Sequence, residues 1–339
     1  SAEIVVSGLE VPWGLAFLAP DEFLVTERPG RLRRVVNGEL DSAPLATLPI
    51  AETAEGGLLD IALHPDFADN RRFYLYVTAA SGDTTHNQVE LWTLAEDHRS
   101  AAFESVVFGG IPAASVHDGG RISVGLVGML YVTTGDAREP DDAQDLATLS
   151  GKILRLTPEG EPAPDNPWPG SAAVVLGVRN PQGLVLRADG SMVIADHGPS
   201  GELGREGHDE ISVAAPGANL GWPTIYGCEA RAGLVTPIIS WQQATPPGGM
   251  ALYDGGRISE WQGALVVGTL RSEHLHVLHL DESGLLARHE TYFERELGRL
   301  RTVLQGPDGE LYVTTSNCDG RGECGATKDA VLRLVRRQD

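Results

Sequence analysis

The stretch Gly306-Pro307-Asp308-Gly309-Glu310-Leu311-Tyr312-Val313-Thr314 sets a tight-turn signal directly against a short strand. Asp-Gly favours such turns because Gly accepts positive φ. The Leu, Tyr and Val that follow suit buried sheet. The unit recurs. Ala188-Asp189-Gly190 leads into Ser191-Met192-Val193-Ile194-Ala195, and similar strands are read over 22–26, 73–77, 129–133 and 264–268. Six units, roughly 45–75 residues apart, predict an all-β fold, a six-bladed β-propeller of four-stranded blades.

Working outward, shorter alternating segments lie between the units, at Gly30-Arg31-Leu32-Arg33-Arg34-Val35-Val36 and Lys152-Ile153-Leu154-Arg155-Leu156. No long amphipathic helix is evident. Propellers usually close by pairing the two chain ends in one blade. Ile4-Val5-Val6 and Ala330-Val331-Leu332-Arg333-Leu334 are the expected partners. A pair of β-sandwiches is the alternative, but it calls for a linker in mid-chain. The 41 Gly and 21 Pro are scattered rather than clustered. One propeller domain over residues 1–339 is therefore the expectation.

The chain carries 26 Lys plus Arg against 47 Asp plus Glu, a formal net charge of −21. Such a surface repels phosphate backbones and anionic membranes, so nucleic acid is not an expected partner. No run approaches the ~18 apolar residues of a membrane span. Cys318 and Cys324 bracket a Gly-bearing stretch, whose spacing suits a small disulfide-closed loop and an oxidising compartment, with Cys228 left over. Three free thiols are the other reading. Ser1-Ala2-Glu3 fits either a processed N-terminus or a trimmed one.

Four segments carry polar groups that a plain blade does not need. In Val116-His117-Asp118-Gly119-Gly120-Arg121, a His beside glycines sits on backbone that a ligand can approach closely, and His suits proton abstraction. Gly177-Val178-Arg179-Asn180-Pro181-Gln182-Gly183 offers a guanidinium and two amides between glycines. Asp196-His197-Gly198-Pro199, with Gly207-His208-Asp209-Glu210, is oxygen-rich and suits calcium, without EF-hand or zinc spacing. In Gly298-Arg299-Leu300-Arg301, strand geometry points both arginines to one side, an arrangement suited to an anionic ligand.

Taken in order, these segments resemble the soluble quinoprotein glucose dehydrogenases and aldose sugar dehydrogenases. The likeness begins at Val11-Pro12-Trp13-Gly14-Leu15-Ala16-Phe17 and runs through Glu55-Gly56-Gly57-Leu58-Leu59-Asp60 and Leu63-His64-Pro65-Asp66-Phe67. It continues through Gln144-Asp145-Leu146, Gly151-Lys152-Ile153-Leu154-Arg155 and Asn219-Leu220-Gly221-Trp222-Pro223 to Arg299-Leu300-Arg301.

The resemblance implies a six-bladed propeller that oxidises aldose sugars at C1 to the lactone, with pyrroloquinoline quinone (PQQ) and Ca2+ as cofactors. It implies that His117 is the base and that Arg179 steadies charge on the quinone oxygen. Glu55, Asn180, Gln182, Arg271, Arg299 and Arg301 match cofactor-contacting positions. The carbonyls of Gly198 and Pro199 match calcium ligands. A secreted or periplasmic monomer or homodimer, passing electrons to an unnamed electron acceptor, is the expected setting.

Three departures stand out. Glu55 replaces a common Gln, which is comfortable beside an anionic cofactor only with a cation nearby. Arg271 replaces a common Lys. Val116 replaces the Asp that precedes the base in glucose dehydrogenases proper, which favours the aldose dehydrogenase branch. Trp241 lies near the position of a cofactor-contacting aromatic. A calcium-dependent lactonase and a non-catalytic binding propeller are the rival readings. The first needs carboxylates around an axial metal, and the second would have lost His117 and Arg179.

Overall fold

The computed structural model describes residues 1–125 and 127–336. Leu126 and the last three residues of the 1–339 span lie outside the described residues.

Six antiparallel sheets form the chain. The first runs Pro12–Ala19, Glu22–Glu27, Arg31–Val36 and Glu39–Leu40, with Ala46–Thr47 also paired to Arg31–Val36. The second runs Leu58–Leu63, Arg72–Ser81, Thr84–Leu94 and Ala101–Pro112. The third holds Ile122–Val124, Leu130–Thr134, Lys152–Leu156 and Ala173–Leu176. The fourth holds Pro181–Leu186, Met192–Asp196, Asp209–Ala214 and Ile239–Trp241. The fifth holds Pro247–Leu252, Leu265–Thr269, Leu275–Leu280 and Leu286–Tyr292. The sixth holds Leu300–Gln305, Leu311–Thr315, Asp329–Leu334 and Ala2–Leu9.

The first-named strand of each blade touches its counterparts in the neighbouring blades around an axis, and the sixth meets the first. This is a six-bladed β-propeller. Every repeated strand read from the sequence is the second strand of its blade, where both faces are covered. The ring closes where expected, with Ile4 opposite Leu332 and Glu3 opposite Arg333. Among the described residues the one α-helix is the four-residue Phe67–Asn70.

The core lies between blades rather than in one centre, because each sheet buries both faces against its neighbours. Six apolar clusters result. Tyr74 and Tyr76 of the second blade pack on Leu130 and Val132 of the third. Phe23 of the first packs with Val6 and Tyr312 of the sixth.

The axis is filled. The Arg121 guanidinium lies 4.3 Å over the Trp13 ring and pairs with Asp60 at 3.1 Å. It also donates to the Gln182 carbonyl at 2.9 Å and to Thr302 Oγ1 at 3.2 Å. Side chains and backbone from several blades thus meet on one buried cation, which closes the channel beneath the site.

Candidate active site

Topology explains how distant segments converge. The innermost strand of each blade runs away from one face of the ring, and the second strand returns to it. Residues just before an inner strand and just after a second strand therefore gather on that face. Glu55, His117, Arg179, Asn180 and Arg299 belong to the first group. Arg28, Asp136, Asp196, His197, Arg271 and Asp319 belong to the second.

They surround a cleft of about 460 Å³, within the usual size range for small-molecule sites. Glu55, His117, Arg179, Asn180, Gly198, Pro199, Arg271 and Arg299 line it. Gln182 and Arg301 sit just beneath, joined by Arg301 Nη1 donating to Gln182 Oε1 at 3.0 Å. All ten residues expected from the sequence are therefore brought together. Past Arg271 the cleft opens into a polar trough of about 1010 Å³ lined by Gln242, Gln243 and Glu206. Trp241 is elsewhere: the outermost strand of the fourth blade carries it, and its ring packs on His276 at 4.6 Å.

His117 is buried and held at φ 68°, a left-handed backbone for which Gly135 makes room. A Cβ on Gly135 would collide with the His117 carbonyl oxygen. His117 Nδ1 is 2.8 Å from Asp136 Oδ1, and Trp222 Nε1 donates to Asp136 Oδ2 at 2.9 Å. A carboxylate only accepts, so Nδ1 carries the proton. Nε2 is then a lone pair facing the cleft, and it accepts from Arg179 Nη2 at 2.8 Å.

Arg179 also donates through Nη1 to the His197 carbonyl at 3.2 Å, and it pairs with Glu202 at 2.6 Å. The Asp196 carboxylate accepts from the amides of Arg179 and Asn180, at 2.8 and 2.7 Å. Burial pushes Asp196 up to about 6 against the pull of those two amides. Burial drives His197 down to about 3, so it sits neutral beside the cleft.

Glu55, the residue standing where Gln is common, has the cation it needs. Arg321 Nη1 donates to Glu55 Oε1 at 2.8 Å, while Oε2 accepts from the His117 amide and Asn180 Nδ2, both at 3.0 Å. Burial alone would raise Glu55, but Arg321 first, then His197 where it is charged and the His117 amide, hold it below the ordinary carboxylate range, at about 2. Arg299 and Arg301 do point to one side, and both meet Asp319, at 2.8 and 3.6 Å.

Arg28, Asp136, Glu202, Asp319 and Arg321 are the site residues that the sequence reading passed over. Asp136 had a signal, since it follows a repeated strand just as Asp196 does. Arg28 and Glu202 sit in segments with no pattern of their own, while Asp319 and Arg321 lie in the Cys318–Cys324 stretch, which was read for its crosslink and not for its charges.

The site's chemistry suits an anionic organic cofactor. Arg28, Arg179, Arg271, Arg299, Arg301 and Arg321 line the cleft and its floor, against Glu55, Glu202, Asp209 and Asp319. This is a cationic spot in a strongly acidic chain. Buried Arg179 Nε and Arg28 Nε have no acceptor, and Arg271 makes no ion pair among the described residues. A buried donor without a partner is costly unless a ligand supplies one.

For a cation the donors are neutral. Gly198 and Pro199 line the cleft, and the Pro199 carbonyl accepts from the Gly207 amide at 2.9 Å. Among the described residues no group of three or more His, Cys, Asp or Glu converges in a metal-binding arrangement. A cation here would need oxygens from the cofactor as well, which hard Ca2+ accepts.

The glucose/sorbosone dehydrogenase family model matches residues 9–333. The chain belongs to that family. Its relatives include the aldose sugar dehydrogenase YliI of Escherichia coli K12, 33% identical over 94% of this chain and 91% of that protein. The PQQ-bound aldose sugar dehydrogenase of Streptomyces coelicolor superposes with a TM-score of 0.89 at 34% identity, covering 99% of this chain and 98% of that one. A Thermus thermophilus oxidoreductase described as a glucose dehydrogenase gives 0.90 at 45% identity, covering 99% of each. Like these relatives, the chain is an oxidoreductase. The disulfide expected from the spacing is present between Cys318 and Cys324, and Cys228 is a free, exposed thiol. No helix among the described residues is long and apolar enough to cross a membrane.

Proposed function

We propose that this chain oxidises aldose sugars at C1 to the lactone, with PQQ and Ca2+ held in the cleft. One observation carries the reading: His117 lines the cleft with Nδ1 held by Asp136, and its Nε2 lone pair, engaged by Arg179 Nη2, is the one that a substrate hydroxyl would take over as Arg179 turns to the developing charge. Asp136 fixes the tautomer, and its negative charge steadies the imidazolium that forms when Nε2 takes the proton of the anomeric hydroxyl. Arg179 stands 2.8 Å from the same nitrogen, so its guanidinium can meet negative charge developing on an oxygen there.

Arg271, Arg299 and Arg301 would hold the quinone's carboxylates, Asn180 and Gln182 its neutral oxygens, and the Gly198 and Pro199 carbonyls the Ca2+. Quinone and Ca2+ together supply a two-electron acceptor and Lewis-acid polarisation, which side chains cannot. The lactonase reading loses ground on the lining, since among the described residues no group of three or more His, Cys, Asp or Glu is placed to hold a metal, while six arginines line the cleft and its floor. The disulfide supports a secreted or periplasmic setting, and we treat 1–339 as one domain.

The test is dye reduction by purified chain with PQQ, Ca2+ and an aldose. Activity should require all three and should vanish with a chelator. Absence of reduction across an aldose panel, with PQQ shown to bind, would overturn the dehydrogenase assignment.

A further inference from the structure

The loop between Leu311–Thr315 and Asp329–Leu334 in the sixth blade is closed by the Cys318–Cys324 bond. It delivers two charges to the site. Asp319 is buried and accepts from Arg299 Nε at 3.1 Å and Nη2 at 2.8 Å. Arg321 is half-exposed and reaches across to Glu55 of the second blade, whose other oxygen holds the His117 amide and Asn180.

Beyond Glu55, Arg321 has one anchor of its own, a backbone amide that donates to Asp319 Oδ1 at 2.9 Å. Its N-terminal side is tied down, because the Asp329 carboxylate accepts from the Asn317 and Cys318 amides at 2.6 and 3.1 Å. Its C-terminal side, 323–328, is exposed. Gly320, Gly322 and Gly325 leave the backbone with a large conformational entropy to lose. On that side the tethers are the crosslink and, further along, the Thr327 carbonyl, which accepts from the Gly8 amide at 2.9 Å.

From this we infer that Cys318, Cys324 and Arg321 are positioning residues: the disulfide holds Arg321 on Glu55, neutralising a carboxylate where an anionic cofactor must lie. The inference rests on the reading above. An unpaired Glu55 would repel the cofactor's carboxylates and release the amides of His117 and Asn180. Opening the loop should therefore weaken cofactor binding without unfolding the propeller, whose six interblade clusters do not include it.

Two measurements test it. Treatment with a dithiol transfers two electrons and two protons to the Cys318–Cys324 bond, giving two thiols while the dithiol closes to its own disulfide. The Glu55 carboxyl is then titrated by carbon NMR in the cofactor-free chain. Its titration should move up toward the ordinary range after reduction, and likewise in Arg321→Ala. An unmoved titration refutes the inference, whether or not the chain binds any quinone.

PQQ titration is the second readout. Reduction, Cys318→Ser with Cys324→Ser, and Arg321→Ala should each raise Kd roughly tenfold, as loss of one charge-assisted contact implies. Glu55→Gln in the Arg321→Ala background should restore binding to within about threefold of the unmodified chain. Failure of that rescue, or losses from reduction and Arg321→Ala that simply add, would overturn the positioning role. A native chain that binds no PQQ counts against the cofactor assignment, and the Glu55 titration then decides this inference alone.

Discussion

Asp136 Oδ1 stands 2.8 Å from His117 Nδ1, and the opposite oxygen of the same carboxylate is pinned by the Trp222 indole. The pair fixes which ring nitrogen faces the substrate. Asp136→Asn can donate as well as accept, and it would favour the wrong tautomer. Turnover should fall by roughly 10²–10⁴-fold in His117→Ala, and by a smaller but large factor in Asp136→Asn. PQQ binding should survive in both. Steady-state dye reduction beside a PQQ titration checks this, and near-native turnover in His117→Ala would remove the base assignment.

Arg271 lines the cleft without a carboxylate partner among the described residues. Arg271→Ala should leave the melting temperature near that of the native chain and raise the PQQ Kd by about tenfold or more. A large drop in melting temperature would mean that Arg271 works for the fold instead.

Arg299 is the opposite case. Its side chain and that of Asp319 are only 5% and 3% exposed. Removing one member leaves a buried, uncompensated charge, at a cost of about 3–5 kcal/mol. Arg299→Ala should therefore lose both stability and cofactor. Arg301, 3.6 Å from Asp319, places the loss at the low end of that range. Denaturant melts of the cofactor-free chain measure it.

Gly135 is required for space. A Cβ there would overlap the His117 carbonyl, a backbone group that cannot swing away. Gly135→Ala should cost more than about 2 kcal/mol and abolish most activity. Normal kinetics in that variant would contradict the packing described for His117.

Glu55 predicts an acid limb. Its carboxyl is lowered from 4.5 to about 2 in the folded chain. Between those values the unfolded chain binds the proton and the folded chain does not, so acidification favours unfolding. The stability it contributes is present above pH 4.5 and lost as pH falls toward 2, on the order of 3 kcal/mol. Glu55→Gln should flatten that limb in melts run from pH 5 to 2.

The repeated strands were legible because each is a second strand, buried on both faces and preceded by a turn in which glycine matters. Outer strands were not, apart from Ala2–Leu9, which was read as the strand that closes the ring. Ala101–Pro112 is largely exposed and irregular in register, so it lacks any alternation to read. In the site, His117, Arg179 and Asn180 announced themselves by polarity between glycines. Arg321 could not, because its partner Glu55 is 266 residues away and the two meet only when the ring closes. Trp241 is a different case: the resemblance put it near a cofactor-contacting aromatic, but the outermost strand of the fourth blade carries it and its ring packs on His276.

The pairing of Ala2–Leu9 with Asp329–Leu334 also sets an order in time. During synthesis the first strand leaves the ribosome long before its partner exists. Asp329, which holds the amides of Val11, Asn317 and Cys318, is made more than 300 residues after the first strand. The first five blades can form their sheets without that strand, but the pocket draws on the sixth blade and waits for it. Active enzyme should therefore appear late and abruptly, after most of the β-structure is already in place.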